Sequence, residues 1–358
     1  MSKTKNQNTF DSEKVNRESI RINNDQRKLS SLSATKRADG YDNKSKSEFE
    51  LTHNDFAQQE LNEKTTHIPV LYSEVLNILD PKPRETYLDL TAGYGGHASG
   101  ILERTLQYQS SVLVDRDSAA VRHLKNKFQS TSIEIIHKNF LEACCLLAEE
   151  ERTFDLILAD LGVSSPHLND ASRGFSFMHD APLDMRMDIR SSLTAEVIVN
   201  TFTEEQLGQI LREYGDEPKY RQIARRIVEH RPITRTTELA NVVARAWPGH
   251  SKSHPATRTF QALRIAVNDE LGLLAETLKC LEKVLAPGGR LAIISFHSLE
   301  DRMVKQHFQE LCDEGYESKF RALTKKPIIG TAKEIVFNPR ARSAKLRALV
   351  KIKTERGS

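Results

Sequence analysis

At 358 residues the chain is long enough for one large domain or two modest ones. Its charge is nearly balanced, +3 with a pI of about 8.5, so any nucleic-acid footprint must come from local clusters. Cys144, Cys145, Cys280 and Cys312 lack metal-ligand spacing and point to a reducing compartment, no run approaches the ~18 apolar residues of a membrane span, and no signal-peptide core lies near Met1.

Residues 1–64 are rich in Ser, Asn, Lys and Asp, hold no proline and show no apolar period, which predicts a disordered polar tail. A mitochondrial transit peptide is the alternative reading. Asp11, Glu13, Glu18 and Asp25 oppose it, because such peptides are poor in acids, so a cytoplasmic location is expected before a mitochondrial one. Order begins at His67, and Val70, Leu71, Val75, Leu76 and Leu79 suit a short amphipathic helix that stops before Pro81 and Pro83. Tyr87 to Leu90 then reads as a buried strand, Gly93, Gly95 and Gly96 as a turn, and a helix follows from Ala98 with Ile101, Leu102 and Leu106 on one face. Strand, glycine turn and helix in that order form the ligand-binding corner of a doubly wound α/β sheet. Glycine lets the backbone lie against a ligand there. The next strand, Ser111 to Val114, ends at Asp115, about 20 residues past the glycines, where an acid can bind ribose hydroxyls.

A helix over Ser118–Phe128 and a strand over Ile133–Ile136 lead to Asn139 and Phe140, and a helix runs on to about Glu150. The fourth strand, Phe154 to Ala159, enters Asp160-Leu-Gly-Val-Ser-Ser-Pro166. This alternation predicts a parallel sheet whose right-handed crossovers bring the loops together at the strands' carboxyl ends. After Pro166 the alternation stops. Arg173 to Asp188 reads as an ordered loop, a capping box at Thr203-Glu-Glu-Gln206 opens a helix to Gly215, and further helices cover Pro218–His230, Thr236–Trp247 and a stretch from about Pro255. The expected organisation is therefore a sheet domain in two parts, residues 65–168 and 273–358, interrupted by an inserted helical domain over 169–272. The sheet resumes after a helix over Ala275–Leu285, with a turn at Ala286–Gly289 and a fifth strand, Arg290 to Ser295. A helix follows to about Leu311, and two strand-like runs, Lys333–Phe337 and Leu346–Lys353, are expected to close the sheet.

The ligand can be narrowed. Asp89 followed by Gly93 and Gly95 looks like the S-adenosylmethionine (SAM) signature of Rossmann-like methyltransferases, with Thr91 in place of their first glycine. The dinucleotide pattern fails, because Ala98 stands where its third glycine belongs. A thiolate attack for carbon-5 methylation is disfavoured too, since Cys144 and Cys145 fall in a helix away from the strand ends and read as packing.

His67-x-x-Val70-Leu71, Asp89-x-Thr-x-Gly-x-Gly-Gly-His97, Asp160-Leu-Gly-Val-Ser-Ser-Pro166, Arg173-Gly-Phe-Ser-Phe, Pro182-Leu-Asp-Met-Arg-Met187, His254-Pro-Ala-Thr-Arg-Thr-Phe-Gln261, Ser295-Phe-His-Ser-Leu-Glu-Asp-Arg302 and Asn338-Pro-Arg-Ala-Arg-Ser343 follow in order. Together they resemble the MraW (RsmH) family of SAM-dependent small-subunit rRNA cytosine-N4 methyltransferases, over residues 67 to about 352. The resemblance implies a Rossmann-like class I methyltransferase sheet with an inserted all-helical domain. It also implies methylation of a decoding-region cytosine, position 1402 of 16S rRNA, on its exocyclic amine. The expected partner is 16S rRNA, within a small subunit or a late assembly intermediate, and a homodimer is left open.

By the same resemblance Gly95, Gly96 and His97 hold the methionine end of SAM, Asp115 its ribose, Phe140 the adenine region, and Asp160 closes the site. His167 stands where the family usually has Gln, and Asn169 where it often has Asp. Each has a plainer reading: turn glycines, a helix cap at His97, a solvated strand end at Asp115, a packing aromatic at Phe140, a structural carboxylate at Asp160. Cytosine's amine is a poor nucleophile, so the enzyme must align it in line and accept one of its hydrogens. Asp160 is the first candidate for that role, with Asp184 and Ser164 behind it. Arg258, Arg340, Arg342 and Lys345 are the candidate RNA contacts, with Arg173, Arg186, Arg190 and Arg264 as further cations. A solvated charged face is the plain alternative. Two other functions compete: a nicotinamide-dependent oxidoreductase on the same sheet, and an RNA-binding assembly factor without catalysis.

Overall fold

The computed structural model describes residues 69–162, 170–247, 254–313 and 318–352. The expected polar tail, Ser164, His167 and Asn169 lie outside them. The first helix, α1 (Tyr72–Leu79), buries Val75, Leu76 and Leu79 and stops at Asp80, whose backbone turns left-handed just before Pro81. Strands β1 (Tyr87–Asp89), β2 (Val112–Asp115), β3 (Glu134–His137) and β4 (Phe154–Asp160) alternate with α2 (Gly96–Thr105), α3 (Ser118–Lys127) and α4 (Phe140–Glu149). Asp117 caps α3 and Asn139 caps α4, each accepting a backbone N–H of the first turn.

With β5 (Leu285–Ser295) parallel to β4, β8 (Lys345–Lys351) antiparallel to β5, and β6 (Phe320–Ala322) antiparallel to β8, the sheet has the order β3-β2-β1-β4-β5-β8-β6. Strand order reverses between β1 and β4, the crevice where doubly wound sheets bind ligands. Period-2 alternation explains why both faces are apolar. Leu88, Ile157, Ala159, Leu291 and Ile293 join one core cluster, while Tyr87, Leu156, Leu158, Ala292 and Ile294 join another. This is the Rossmann-like methyltransferase sheet that the sequence predicts.

Between β4 and β5 lie α5 (Ala195–Thr201), α6 (Glu204–Gly215), α7 (Tyr220–Glu229), α8 (Thr236–Ala244) and α9 (Ala256–Asn268), followed by α10 (Glu270–Val284). The capping box on Thr203 and Gln206 forms as expected. Residues from Phe175 to Val267 build a separate apolar cluster that includes Leu207, Leu211, Ile223, Ile227, Leu239 and Leu263. Helix α5 is absent from the sequence expectation; it is short, and Thr194 caps it.

The tail corrects the sequence reading. Lys333–Phe337 is expected as a strand but belongs to a helix, α12 (Ala332–Phe337), capped by Thr331. After α11 (Ser298–Cys312), two short strands, β6 (Phe320–Ala322) and β7 (Ile328–Ile329), pair with β8 in its place. Among the described residues no helix is long and apolar enough to cross a membrane.

Candidate active site

The carboxyl ends of β1, β2 and β4 adjoin in the sheet, and their polar residues meet there. Asp115, at the end of β2, accepts the backbone N–H of Gly93 and that of Asp117, both at 2.8 Å. These two bonds fix the direction of the carboxylate at the carboxyl edge of the sheet. The glycines divide by role. Gly93 has φ +53° and a Cβ there would meet only the Thr91 carbonyl oxygen, at 3.9 Å, which leaves room for a ligand to approach the backbone. Gly95 is left-handed and faces Leu124 and Phe128, while a Cβ on Gly96 would lie 2.5 Å from Pro69. Their side-chain faces meet protein, so any contact with SAM is made by backbone.

Three titratable groups cluster below this turn. Asp89 is 2% exposed, takes a hydrogen bond from the Tyr87 hydroxyl at 2.7 Å and one from the Thr91 N–H at 3.1 Å, and burial raises it to about 7. His97, in the first turn of α2, stacks beside Tyr72; burial lowers it to about 4, with a hydrogen bond to the Val70 backbone acting the other way. Its Nε2 lies 3.8 Å from Asp160 Oδ2, and at neutral pH the ring is uncharged, so this is no ion pair. Asp160 keeps 27% of its side chain exposed, while Oδ1 is buried with no hydrogen-bond partner among the described residues. Burial, then repulsion from Asp89 and Glu300, pushes it up to about 8; the positive charge of Arg340 acts the other way.

The remaining candidates fall in different surroundings. Phe140 is half-buried against the β-sheet core at the start of α4. Asp184 is held bidentately by Arg186 at 2.8 and 2.7 Å; burial alone would raise it, but that pair keeps it below its usual range. Arg173 donates to the carbonyls of Arg186 and Met187. Arg258 is exposed and donates to the Asp216 carbonyl. Lys345 pairs with Asp301 at 3.0 Å, Arg342 is exposed, and Arg340 is half-buried.

The sequence reading names Arg264 as a cation but does not assemble the second polar cluster, at the junction of α9, α10 and the β5 loop. Arg264 and Glu270 form a bidentate pair at 2.8 and 2.7 Å. Glu300 accepts the N–H groups of Phe296 and His297 at 2.8 and 3.2 Å. Asn268 ties α9 to the loop ahead of α5 through the Met185 carbonyl and the Met187 N–H, both at 2.8 Å. Glu270, His297 and Glu300 each bring one ligand-type atom within 4.8 Å of the others, but Arg264 engages both oxygens of Glu270. Only Glu300 had a local signal, the spacing of a capping box from His297.

The chain is similar to named bacterial methyltransferases. A ribosomal RNA small subunit methyltransferase H of Heliobacterium modesticaldum is 45% identical over 309 residues, spanning 80% of this chain and 99% of its own. The protein of that name in Cyanothece sp. is 49% identical over 291 residues, 80% of this chain and 95% of its own. A SAM-dependent O-methyltransferase from Thermotoga maritima aligns over 84% of this chain and 72% of its own at 9% identity, with a TM-score of 0.37, too slight a likeness to add to the strand order. Residues 64–352 match the model of the family described as MraW methylase, and the chain belongs to that family.

Proposed function

We propose that the protein transfers the methyl group of SAM to the exocyclic N4 of an unpaired cytosine in the decoding region of 16S rRNA, in the cytoplasm. The family and its ribosomal RNA methyltransferase relatives support SAM-dependent rRNA methylation. The substrate in this proposal is a small subunit or late assembly intermediate. When bound, SAM supplies an electrophilic methyl on a sulfonium. The chain's residues fit it: Gly93 leaves the space a ligand backbone approach needs, and Asp115 presents an oriented carboxylate for hydroxyl groups.

The observation that carries the acceptor role is Asp160 Oδ1, buried at the reversal point of the sheet and without a hydrogen-bond partner among the described residues. A buried acceptor left unsatisfied is costly unless a substrate donor completes it. In its ionised form Asp160 takes a hydrogen from the amine, turning the nitrogen lone pair out of conjugation and toward the methyl. Arg340 favours that ionised form. Base pairing would occupy the amine, so the cytosine is presented single-stranded or flipped. Ser164, as a weaker catalytic candidate, and His167, as a SAM contact, rest on the family resemblance, and Asp184, already paired with Arg186, is likewise a weaker catalytic candidate. Nucleoside mapping of rRNA from cells lacking this protein tests the reading. Loss of one N4-methylcytosine supports it, and an unchanged modification pattern refutes it.

A further inference from the structure

A cavity of about 260 Å³ opens beside the site, between the loop after β5 and the segment from β7 to β8. Phe296, His297, Ile329, Ile335, Arg342 and Lys345 are among its walls. Its position follows from two neighbours. Phe296 also lies against Gly162, two residues after Asp160, with a Cβ there only 3.2 Å from the ring. Arg342 is two residues from Arg340, whose charge acts on Asp160. No carboxylate is among the described residues that line it. An amine to be methylated needs an acceptor, so this cavity does not suit the target group itself.

Its chemistry suits something else. Apolar and aromatic side chains line it together with two cations, and Arg342 has no ion pair among the described residues. Residues 318–352 carry ten lysines and arginines against a single acid, Glu334, in a chain whose total net charge is +3. Glu334 is turned inward and accepts the Leu71 N–H. Val336 and Phe337, next to Ile335, are each 76% exposed. Stacking surfaces joined to a cationic track are what single-stranded nucleic acid requires. His297 adds a polar edge: its side chain is 7% exposed, and Nε2 lies 3.2 Å from Glu300 Oε1. The volume is below the ~300–1,000 Å³ of sites for drug-sized ligands and suits one nucleoside.

We propose that this cavity is a second nucleotide subsite, which takes an unpaired nucleotide flanking the one to be methylated. The base packs against Phe296, Ile329 and Ile335, and its phosphate lies at Arg342 and Lys345. This rests on the reading of the protein as an rRNA methyltransferase and names how that substrate is gripped. Holding a neighbouring base out of the stack fixes the register of the strand and helps expose the target.

The test uses the full-length chain and a labelled decoding-region RNA hairpin, with an abasic site placed at each of several positions around the target cytosine. One flanking abasic site should weaken wild-type binding on the order of tenfold. Ile335→Trp, which fills the cavity, should weaken binding of intact RNA similarly and lose nothing more with the abasic RNA. Arg342 is exposed, so Arg342→Ala provides a variant that keeps the fold. A neutral methylphosphonate at the flanking nucleotide should cost wild type but not Arg342→Ala. SAM affinity should not change in either variant. Insensitivity at every flanking position, or losses that add undiminished in both variants, overturns the subsite. Methyl transfer to the intact hairpin is scored separately: position-dependent binding without transfer removes the enzymatic reading and keeps the subsite, and transfer without position dependence does the reverse.

Discussion

The hydroxyl of Thr91 accepts the backbone N–H of Asp160 at 2.6 Å, so the turn after the first strand holds the end of the fourth. Thr91 stands where the SAM signature has its first glycine, and the substitution adds a clasp. The backbone of Asp160 is fixed while its carboxyl remains available, which is the preorganisation an acceptor needs. Thr91→Val should leave the Asp160 N–H without a partner and cost ~1–3 kcal/mol in urea unfolding. Thr91→Ser should restore most of it. Equal stability of the three proteins would mean that the clasp contributes nothing.

Asp160 sets the pH response. Burial, with Asp89 and Glu300 behind it, raises it to about 8, so only a minority is ionised at neutrality. Methyl transfer should therefore rise with pH, by up to ~10-fold per unit, and level off above about 8. Asp160→Asn should abolish that limb and slow transfer by ~10²-fold or more. The stability effect has the opposite sign. A folded pKa above the unfolded value of 3.8 contributes stability that is complete below that value and is lost as pH rises through 8. Asp160→Asn should accordingly gain in melting temperature over wild type at pH 9 more than at pH 5. A difference independent of pH would show that the carboxyl does not titrate in this range.

Asp115→Ala should weaken SAM binding by ~1.5–3 kcal/mol, measured by calorimetry, through lost charge-assisted hydrogen bonds. Because Asp115 also holds the Gly93 N–H, part of that loss comes from a looser turn. Unchanged affinity would remove Asp115 from the site.

The Arg264–Glu270 pair is mostly out of water, with side chains 17% and 7% exposed. Arg264→Ala leaves Glu270 buried without its partner and should destabilise the fold by ~3–5 kcal/mol in chemical unfolding. A loss below 1 kcal/mol would show that water or another cation replaces the guanidinium.

What the sequence made readable was local. The glycine turn, Asp115 at the tip of β2 and Asp160 at the tip of β4 follow from strand period, turn chemistry and spacing. The tail was misread because Ile335-Val-Phe337 has strand propensity and α12 depends on distant groups. Its Glu334 reaches the Leu71 N–H, 263 positions away in the chain. Gly96 was assigned to the ligand by its motif, yet its nearest constraint is Pro69. The carboxyl bonds of Glu300 and the clasp of Asn268 are products of tertiary packing, which no spacing rule carries.

Incubating the purified protein with methyl-labelled SAM and unmodified small-subunit rRNA, then identifying the labelled nucleoside by mass spectrometry, tests the account most directly. The account predicts label on the exocyclic nitrogen of a single cytosine, with the label falling to background in Asp160→Asn. Label on a ring carbon, on another base, or on no nucleoside at all would contradict it.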